Sequence, residues 1–328
     1  MTEPPAETVL QSRVPAAAAG LTLGEYLAAR FRYLDLDAWR AQVAAGRVRC
    51  NGGAARVEDR LAAGDLVAYR PAHAEPRADT AIELLHDEPD FVVVFKPAHL
   101  VAHADGAFVQ NTFFRVLERH FAARGERPRL ALAHRLDRET SGVLVVAKTR
   151  AAGRNLQQQF AAGGVRKEYD AVVHGVIGRQ SLVVDAAIGR DPDSEIAIRR
   201  TVLPAGAPGA RAACTTLRVE RRYAAHTLVR ALPASGRTHQ IRVHLEHLGH
   251  PLVGDKLYGR SDADYLAWVR HVKAGGDPAW PGRLPAGRQL LHAAMLELDH
   301  PRTGARLCFR APMPRDISDF LASLAPPL

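Results

Sequence analysis

Cysteine is scarce in this sequence. The 328 residues contain only Cys50, Cys214 and Cys308, which are widely spaced and form no CxxC pair. Disulfide frameworks and thiolate metal sites need cysteines in paired or close spacing, so the sequence predicts neither. We therefore expect the protein to work in a reducing compartment, the cytoplasm.

Long apolar segments are also missing. No run approaches the roughly 20 residues of a membrane-spanning helix. Residues 1–20 lack the basic stretch and apolar core of a signal peptide. We expect a soluble protein that no membrane holds, with a flexible tail over residues 1–14.

Apolar content and positive charge are what the sequence does have. Its hydrophobic fraction of 47% is enough for a globular core, and 328 residues suit one large domain with a smaller one. The 44 basic and 35 acidic side chains give a formal charge of +9, which predicts an anionic partner. Arginine supplies nearly all of this charge and binds phosphate in a bidentate manner, although an Ala, Arg and Gly rich composition can also arise from genome bias.

The N-terminal region predicts two short helices and a hairpin. Apolar residues recur at helical spacing from Leu23 to Phe31 and again from Trp39 to Val43. The strand from Gly46 to Cys50 turns at Asn51-Gly52, a strong hairpin signal, and residues 64–69 offer a further strand. The basic side chains of this region are Arg30, Arg32, Arg40, Arg47 and Arg49. The pattern fits a small phosphate-binding module.

This region resembles the alpha-L RNA-binding domain that is also found in a small-subunit ribosomal protein. The leucine-rich first helix, the turn over residues 46–52 and the strand that begins at Gly64 carry the resemblance. The sequence departs from the family at Cys50, where a hydrophobic residue is usual, and at Asp35 and Asp37, in a helix that is usually more basic. The resemblance implies an RNA-binding domain over residues 15–71, a linker over 72–80 and a larger domain over 81–328. The alternative is an accessory domain that contributes only stability.

Beyond the linker, predicted strands outnumber predicted helices. The first strand, Phe91 to Phe95, ends at Lys96-Pro97, and helices are predicted over residues 112–123 and 155–160. Further strands are predicted at residues 143–147, 165–175, 181–185, 213–222, 226–232, 288–298 and 306–311. Without regular βα alternation, this content predicts an α+β fold around a mixed, largely antiparallel sheet. Residues 259–285 suggest an insertion around one helical turn, and residues 316–324 a capping helix that begins at Asp316.

A charge-dense loop precedes the predicted strand at residues 143–147. Asp137 lies there between Arg135 and Arg138, which should keep its carboxylate ionised and available as a nucleophile or base. The alternative is a solvated turn with a surface ion pair.

The densest polar segment, residues 235–250, allows several interpretations. It contains four histidines together with Arg237 and Arg242. Imidazole can bind zinc, but no HExxH or carboxylate pattern accompanies these histidines, and the arginines disfavour a second cation. A polyanion that faces the arginines is another interpretation, and a basic helix end without a function is a third. A nuclease that uses histidine and arginine as acid and base also stays open.

Three ordered motifs between about Ile82 and Pro314 resemble the RluA family of RNA pseudouridine synthases. They are His134-Arg135-Leu136-Asp137-x-x-Thr140-Ser141-Gly142, then Lys167-Glu168-Tyr169, then Gly236-Arg237-Thr238-His239-Gln240-Ile241-Arg242-Val243-His244. The pairs Gly254-Asp255, Tyr258-Gly259, His292-Ala293 and His300-Pro301 extend the likeness. Phe95 departs from it, since the family commonly has an acidic residue there, and we expect only a local packing difference.

The resemblance implies a uridine isomerase that flips its target out of an RNA stack. Asp137 is then the catalytic carboxylate, Tyr169 lies against the uracil, and Arg242 pairs with Asp137. The implied substrate-binding residues are Arg135, His134, Thr140, Lys167, Arg237, His239, Gln240 and His292. Neither cofactor nor metal is implied, and we expect a monomer whose partner is large-subunit ribosomal RNA rather than transfer RNA. The alternative is a non-catalytic RNA-binding or ribosome-assembly protein of the same fold.

Overall fold

The computed structural model describes residues 9–31, 34–70, 79–102, 110–273 and 276–325. These residues divide into two compact units. One unit comprises residues 9–70 with 110–115, and the other comprises residues 79–102 with 116–325.

The N-terminal unit contains two helices and a four-stranded sheet. Its elements are β1 (Leu10–Arg13), α1 (Leu23–Arg30), α2 (Leu36–Ala44), β2 (Val48–Cys50), β3 (Gly53–Ala54) and β4 (Leu66–Tyr69). The strand order is β1-β4-β2-β3, and all pairs are antiparallel. The predicted helices and hairpin are therefore present. The prediction of a flexible tail over residues 1–14 is wrong for Leu10–Arg13, because its backbone hydrogen bonds join β4.

Local side-chain chemistry sets the ends of these elements. Thr22 and Glu25 form a capping box at the start of α1, and Asp35 caps α2 by accepting a hydrogen bond from the Ala38 N–H at 2.8 Å. Asn51 and Gly52 both have positive φ, as the two-residue turn requires. Asp35 is therefore an N-cap residue in this unit, which accounts for one of the two acidic departures from the resemblance.

Beyond residue 79 the chain forms a ten-stranded sheet, a separate two-stranded sheet made of the seventh and eighth of the strands below, and flanking helices. The strands are β5 (Glu83–Asp87), β6 (Phe91–Lys96), β7 (Ala131–Leu132), β8 (Ser141–Ala147), β9 (Arg166–His174), β10 (Ser181–Asp185), β11 (Ile188–Arg190), β12 (Arg200–Val202), β13 (Cys214–Arg222), β14 (His226–Pro233), β15 (Leu291–Asp299) and β16 (Arg306–Arg310). The helices are α3 (Phe113–Ala123), α4 (Arg150–Ala161), α5 (Gln240–His247), α6 (Asp262–Lys273) and α7 (Arg315–Ser323).

The main sheet has the order β10-β13-β14-β9-β15-β8-β6-β5, with β7 paired to β8 and β16 paired to β15. All of its pairs are antiparallel except β15 with β8, which run parallel at His292 and Ser141. The predicted α+β class with a mixed, largely antiparallel sheet is confirmed. Since β15 lies between β9 and β8, a late segment of the chain joins two earlier parts of the sheet.

The prediction for residues 259–285 needs correction, whereas the helix predicted over residues 316–324 is present and begins one residue earlier. Asp262–Lys273 forms a helix of three turns instead of one, because Ser261 and Asp264 cap its start and Trp268 buries its ring. The last helix begins after Pro314, so Asp316 lies in its first turn and pairs with Arg288.

None of the helices in the described ranges is both long and apolar enough to cross a membrane.

Candidate active site

A cavity of about 440 Å³ opens where the loop 134–140, strand β9 and the segment before α5 meet. Its polar lining includes His134, Arg135, Asp137, Thr140, Lys167, Tyr169, Ser235, Arg237, Thr238, His239, Gln240 and Arg242. A volume of this size is typical of pockets that enclose a small organic group such as a nucleotide. The three sequence motifs therefore meet around one cavity.

Asp137 and Arg242 form an ion pair at this cavity. Arg242 donates from Nη1 to Asp137 Oδ2 at 3.0 Å, and the Asp137 side chain is 23% exposed. Burial alone would raise the pKa of the Asp137 carboxyl, but His239, Arg242 and Arg135 together hold the pKa below its ordinary value. In the described part of the chain, no donor is bonded to Oδ1 of Asp137. The carboxylate is thus ionised, anchored by one oxygen and open to a substrate at the other.

Asp255 holds the opposite side of the Arg242 guanidinium. Arg242 donates from Nε to Asp255 Oδ2 at 2.7 Å and from Nη2 to Oδ1 at 2.9 Å. Asp255 also accepts from the backbone N–H groups of Leu257 and Tyr258. A bidentate pair of this kind fixes the plane of the guanidinium, so only Nη1 is left to reach Asp137.

Buried side chains fix the loop that carries Asp137. Lys96 donates from Nζ to the carbonyls of Pro97, Leu100 and Arg138, the last of which is adjacent to Asp137. Burial and the nearby Arg288 lower the pKa of Lys96 to about 7.

The next residue, Glu139, is also held by buried basic side chains. Lys256 donates to Glu139 Oε1 at 2.7 Å, and Arg288 donates to the Glu139 carbonyl at 2.9 Å. The two residues that follow Asp137 are therefore held by buried basic side chains, which limits how far its carboxylate can move.

Tyr169 and Lys167 lie two residues apart on β9 and both line the cavity, in agreement with the alternation of side chains along a strand. Burial and the Asp137 charge raise the pKa of the Tyr169 phenol, so its hydroxyl is protonated at neutral pH. Lys167 donates to the Ser235 carbonyl at 2.9 Å, and burial lowers its pKa to about 8.

Three of the predicted substrate-binding residues form hydrogen bonds within the protein. His134 accepts the Val145 N–H through Nε2 at 3.1 Å and stacks on Phe160. Thr140 accepts from Gln289. Gln240 bonds to Ser235, Arg237, Cys214 and Thr215. These residues line the cavity, and their hydrogen bonds fix the positions of their side chains in its wall.

Arg135, Arg237 and His239 face the cavity in different ways. Arg135 is exposed, and in the described part of the chain its guanidinium has no hydrogen-bond partner. Arg237 donates through Nε to the Ala212 carbonyl at 3.0 Å, which leaves its other nitrogens for a ligand. His239 Nε2 lies 3.9 Å from Asp137 Oδ2.

The structure does not support His292 as a substrate-binding residue. Its side chain is fully buried, bonds to Ser141 and to the Ala311 carbonyl, and does not line the cavity. His292 instead joins β15 to the start of β8. Phe95, the departure noted in the sequence, packs beside the His292 ring at 6.0 Å.

The histidines of residues 239–250 do not converge on a metal. His244 bonds to Thr215 and the Ala186 carbonyl, His250 to the His174 carbonyl, and His239 to Tyr258. A different group, Glu88, Asp90 and His300, brings possible ligand atoms together among the described residues. Glu88 lies 2.9 Å from His300 Nε2, and Asp90 pairs with Arg302 at 2.8 Å.

The arginines of the N-terminal unit lie mostly at its surface. Arg30, Arg40 and Arg49 are exposed, and Arg47 is half-buried. Arg40 forms an exposed ion pair with Asp37 at 2.9 Å. Arg32 lies outside the described residues.

Sequence reasoning gave no role to Asp255, Tyr258, Lys96 and Arg288. The first two lie in the pairs Gly254-Asp255 and Tyr258-Gly259, which contribute to the family resemblance without a stated role. An arginine predicted to be buried beside a carboxylate needs a second acceptor for its remaining N–H groups, and this requirement could have pointed to Asp255.

Comparisons with known proteins identify the family of the chain. Residues 90–247 match the family model described as RNA pseudouridylate synthase. A protein of Pseudomonas aeruginosa named ribosomal large subunit pseudouridine synthase D is 35% identical over 318 residues, which cover 95% of each chain. A protein of the same name from Xylella fastidiosa is 34% identical and covers 96% of this chain and 92% of its own.

A solved structure, human RNA pseudouridylate synthase domain containing 1, superposes with a TM-score of 0.57. The two chains are 26% identical, and the match covers 78% of this chain and 92% of the human one. The motifs, the fold and these relatives lead to one conclusion. The chain belongs to the RluA family of RNA pseudouridine synthases and is an RNA-modifying isomerase.

Proposed function

We propose that this enzyme converts a uridine of large-subunit ribosomal RNA to pseudouridine, with Asp137 as the catalytic carboxylate. The observation that carries the proposal is the state of that carboxylate, which is ionised in a nucleotide-sized cavity with Oδ2 held by Arg242 and Oδ1 open. The relatives' names support the choice of RNA.

The chemistry requires the uracil to change its point of attachment. The bond from N1 to C1′ of the ribose breaks, the detached base turns, and C5 bonds to C1′. The C5 hydrogen leaves as a proton, and N1 takes one up. Positive character develops at C1′ while the bond breaks, and an adjacent carboxylate can stabilise or capture that carbon.

Tyr169 supplies a ring surface for the detached base. Its raised pKa means that the phenol enters the reaction protonated, so it is not a base in the free enzyme. If Asp137 captures the sugar carbon, the carboxylate loses its charge, and one of the two causes that raise the Tyr169 pKa is removed.

The target uridine has to leave its stack to reach Asp137. Arg135 is exposed beside the cavity, two residues from Asp137, and its planar guanidinium can occupy the space that the base vacates. Arg237 and Lys167 supply positive charge for the phosphates of the flipped nucleotide.

The N-terminal unit acts as an alpha-L RNA-binding domain in this proposal. Exposed Arg30, Arg40 and Arg49 provide phosphate contacts that are independent of sequence. The enzyme works as a monomer in the cytoplasm. It needs no cofactor in this proposal, because the bonds and protons of the reaction balance within the uridine and the solvent.

The direct test is release of hydrogen from C5 of labelled uridine in ribosomal RNA. We expect release with the wild-type enzyme and none above background with Asp137→Asn. Asp319→Asn is the matched control, since it makes the same change at an exposed position on α7 and should leave the rate unchanged.

Equal release by wild type and Asp137→Asn would refute the role of Asp137. No release by wild type on any structured RNA would favour the alternative of a non-catalytic RNA-binding protein. Strand scission would favour a nuclease.

A further inference from the structure

Tyr258 touches both of the groups that approach Asp137. It is 1% exposed, and its ring lies under the Arg242 guanidinium, with 4.8 Å from Cζ to the ring centroid. Its hydroxyl lies 2.8 Å from His239 Nδ1. The sequence motifs give this tyrosine no role, and it follows Asp255 in a buried turn.

The hydrogen-bond network decides which partner donates between Tyr258 and His239. The backbone N–H of Arg200 donates to the Tyr258 hydroxyl oxygen at 3.2 Å. If His239 Nδ1 also carried a hydrogen, the hydroxyl would receive two bonds, and in the described part of the chain its own hydrogen would have no acceptor. Buried hydroxyl hydrogens are rarely left without one. The phenol therefore donates to Nδ1, and the ring proton of His239 lies on Nε2.

The protonation state of His239 determines whether its ring presents a donor or a lone pair to Asp137. Burial and the Arg242 charge lower the pKa of His239 to about 4, so the ring is neutral at neutral pH and carries one N–H. A neutral ring in the other tautomer would present a lone pair, and not a donor, to the carboxylate of Asp137.

The backbone of His239 adopts an unusual conformation that orients its ring. His239 is the residue before α5 and has φ 59° and ψ 19°, a left-handed conformation that costs free energy in most residues. Its side chain does not cap the helix. The conformation instead directs the ring between Tyr258 and Asp137, with Nε2 3.9 Å from Oδ2.

We propose that Tyr258 is a positioning residue that holds His239 in its Nε2–H tautomer, so that His239 joins Arg242 as a second donor to Oδ2 of Asp137 in the RNA complex. Two donors on Oδ2 leave Oδ1 as the oxygen that meets C1′. No proton is transferred in this role. The inference rests on the proposed function of Asp137, but the tautomer itself can be measured without RNA.

The first experiment is nitrogen NMR of the full-length protein labelled with ¹⁵N-histidine, because the chemical shift separates protonated from unprotonated ring nitrogens. His239 is assigned by its loss in His239→Asn, where asparagine suits the left-handed backbone. We expect the Nε2–H form alone in wild type and a mixture of the Nε2–H and Nδ1–H forms in Tyr258→Phe, because the phenyl ring no longer donates to Nδ1. An Nδ1–H ring in wild type, or the same tautomer in both proteins, would overturn the proposal.

The second experiment measures kcat and KM on ribosomal RNA. Losing one donor in the reacting complex corresponds to about a 10-fold loss, and we expect Tyr258→Phe to show it in kcat with little change in KM. Tyr223→Phe is the matched control, because Tyr223 is 3% exposed and its hydroxyl has no hydrogen bond within the described ranges. An equal loss in both variants would assign the effect to packing and refute the proposal.

A double-mutant cycle separates positioning from independent structural effects. If Tyr258 acts through His239, Tyr258→Phe should cost less than about 2-fold in a His239→Asn background. Additive losses would contradict it. Failure of the proposed function has a different signature, since Asp137→Asn would then stay active whatever tautomer the NMR shows.

Discussion

Arg242 places one guanidinium between two carboxylates, with Nη1 3.0 Å from Asp137 Oδ2 and Nε 2.7 Å from Asp255 Oδ2. The two acids differ in access, since the Asp255 side chain is fully buried and that of Asp137 is 23% exposed. The inner carboxylate orients the cation, and the outer one is available for chemistry. Substitutions in this trio should therefore separate effects on stability from effects on catalysis.

Arg242→Gln should move the acid limb of kcat/KM to higher pH. Arg242 is among the groups that hold the pKa of Asp137 below its ordinary value, so removing the positive charge raises that pKa. Because the carboxylate is the active form, activity in the variant is lost at a higher pH as the solution is acidified. Pre-steady-state turnover across the acid range measures the limb, and an unmoved limb would exclude Arg242 as the cause.

Asp255→Asn should destabilise the fold by about 3–5 kcal/mol, because the buried Arg242 loses the charged partner that binds it in a bidentate manner and keeps only Asp137. Urea unfolding at neutral pH gives the difference in the free energy of unfolding. Asp319→Asn should change that free energy by less than about 0.5 kcal/mol, as expected for an exposed position. Equal effects of the two substitutions would count against the buried pair.

Gly142→Ala should lower the free energy of unfolding by about 3 kcal/mol. Gly142 has φ 121°, and a Cβ there would collide with the backbone of Ala293 in β15. Gly178→Ala is the matched control, because nothing lies within 4 Å of the position that its new methyl group would take and its φ is not positive. Thermal unfolding of the two variants should therefore differ, and similar curves would show that the β8–β15 contact tolerates a side chain.

The double substitution Arg30→Ala and Arg49→Ala should weaken RNA binding and its salt dependence. Both side chains are exposed, and each phosphate contact contributes about 0.7–0.9 to the slope of log K against log salt concentration. We expect the slope to fall by about 1.5. Arg306→Ala is the control, because Arg306 already pairs with Glu297 and Asp299. An unchanged slope would indicate that the N-terminal unit serves stability alone.

Regular patterns in the sequence predicted regular structure well. Strand alternation placed Lys167 and Tyr169 on one wall of the cavity, and Asn51-Gly52 marked its turn. Predictions failed where a polar side chain can either contact a ligand or form a hydrogen bond inside the protein. A motif cannot tell whether His292 faces a ligand or a buried serine, because that depends on strands that pair across 151 residues. The helix at Asp262–Lys273 was underestimated because one buried tryptophan outweighs a composition typical of loops.

The place of β15 in the sheet has a consequence for synthesis of the chain. β8 carries the loop with Asp137 and β9 carries Tyr169, and both pair with β15. On the ribosome these two strands emerge long before residues 291–299, and until then nothing in the sheet order joins them. A nascent or truncated chain that ends before β15 therefore has the three motifs around Asp137, Tyr169 and Arg242 but lacks the strand that joins β8 to β9, so the active site assembles only after residues 291–299 have been synthesised.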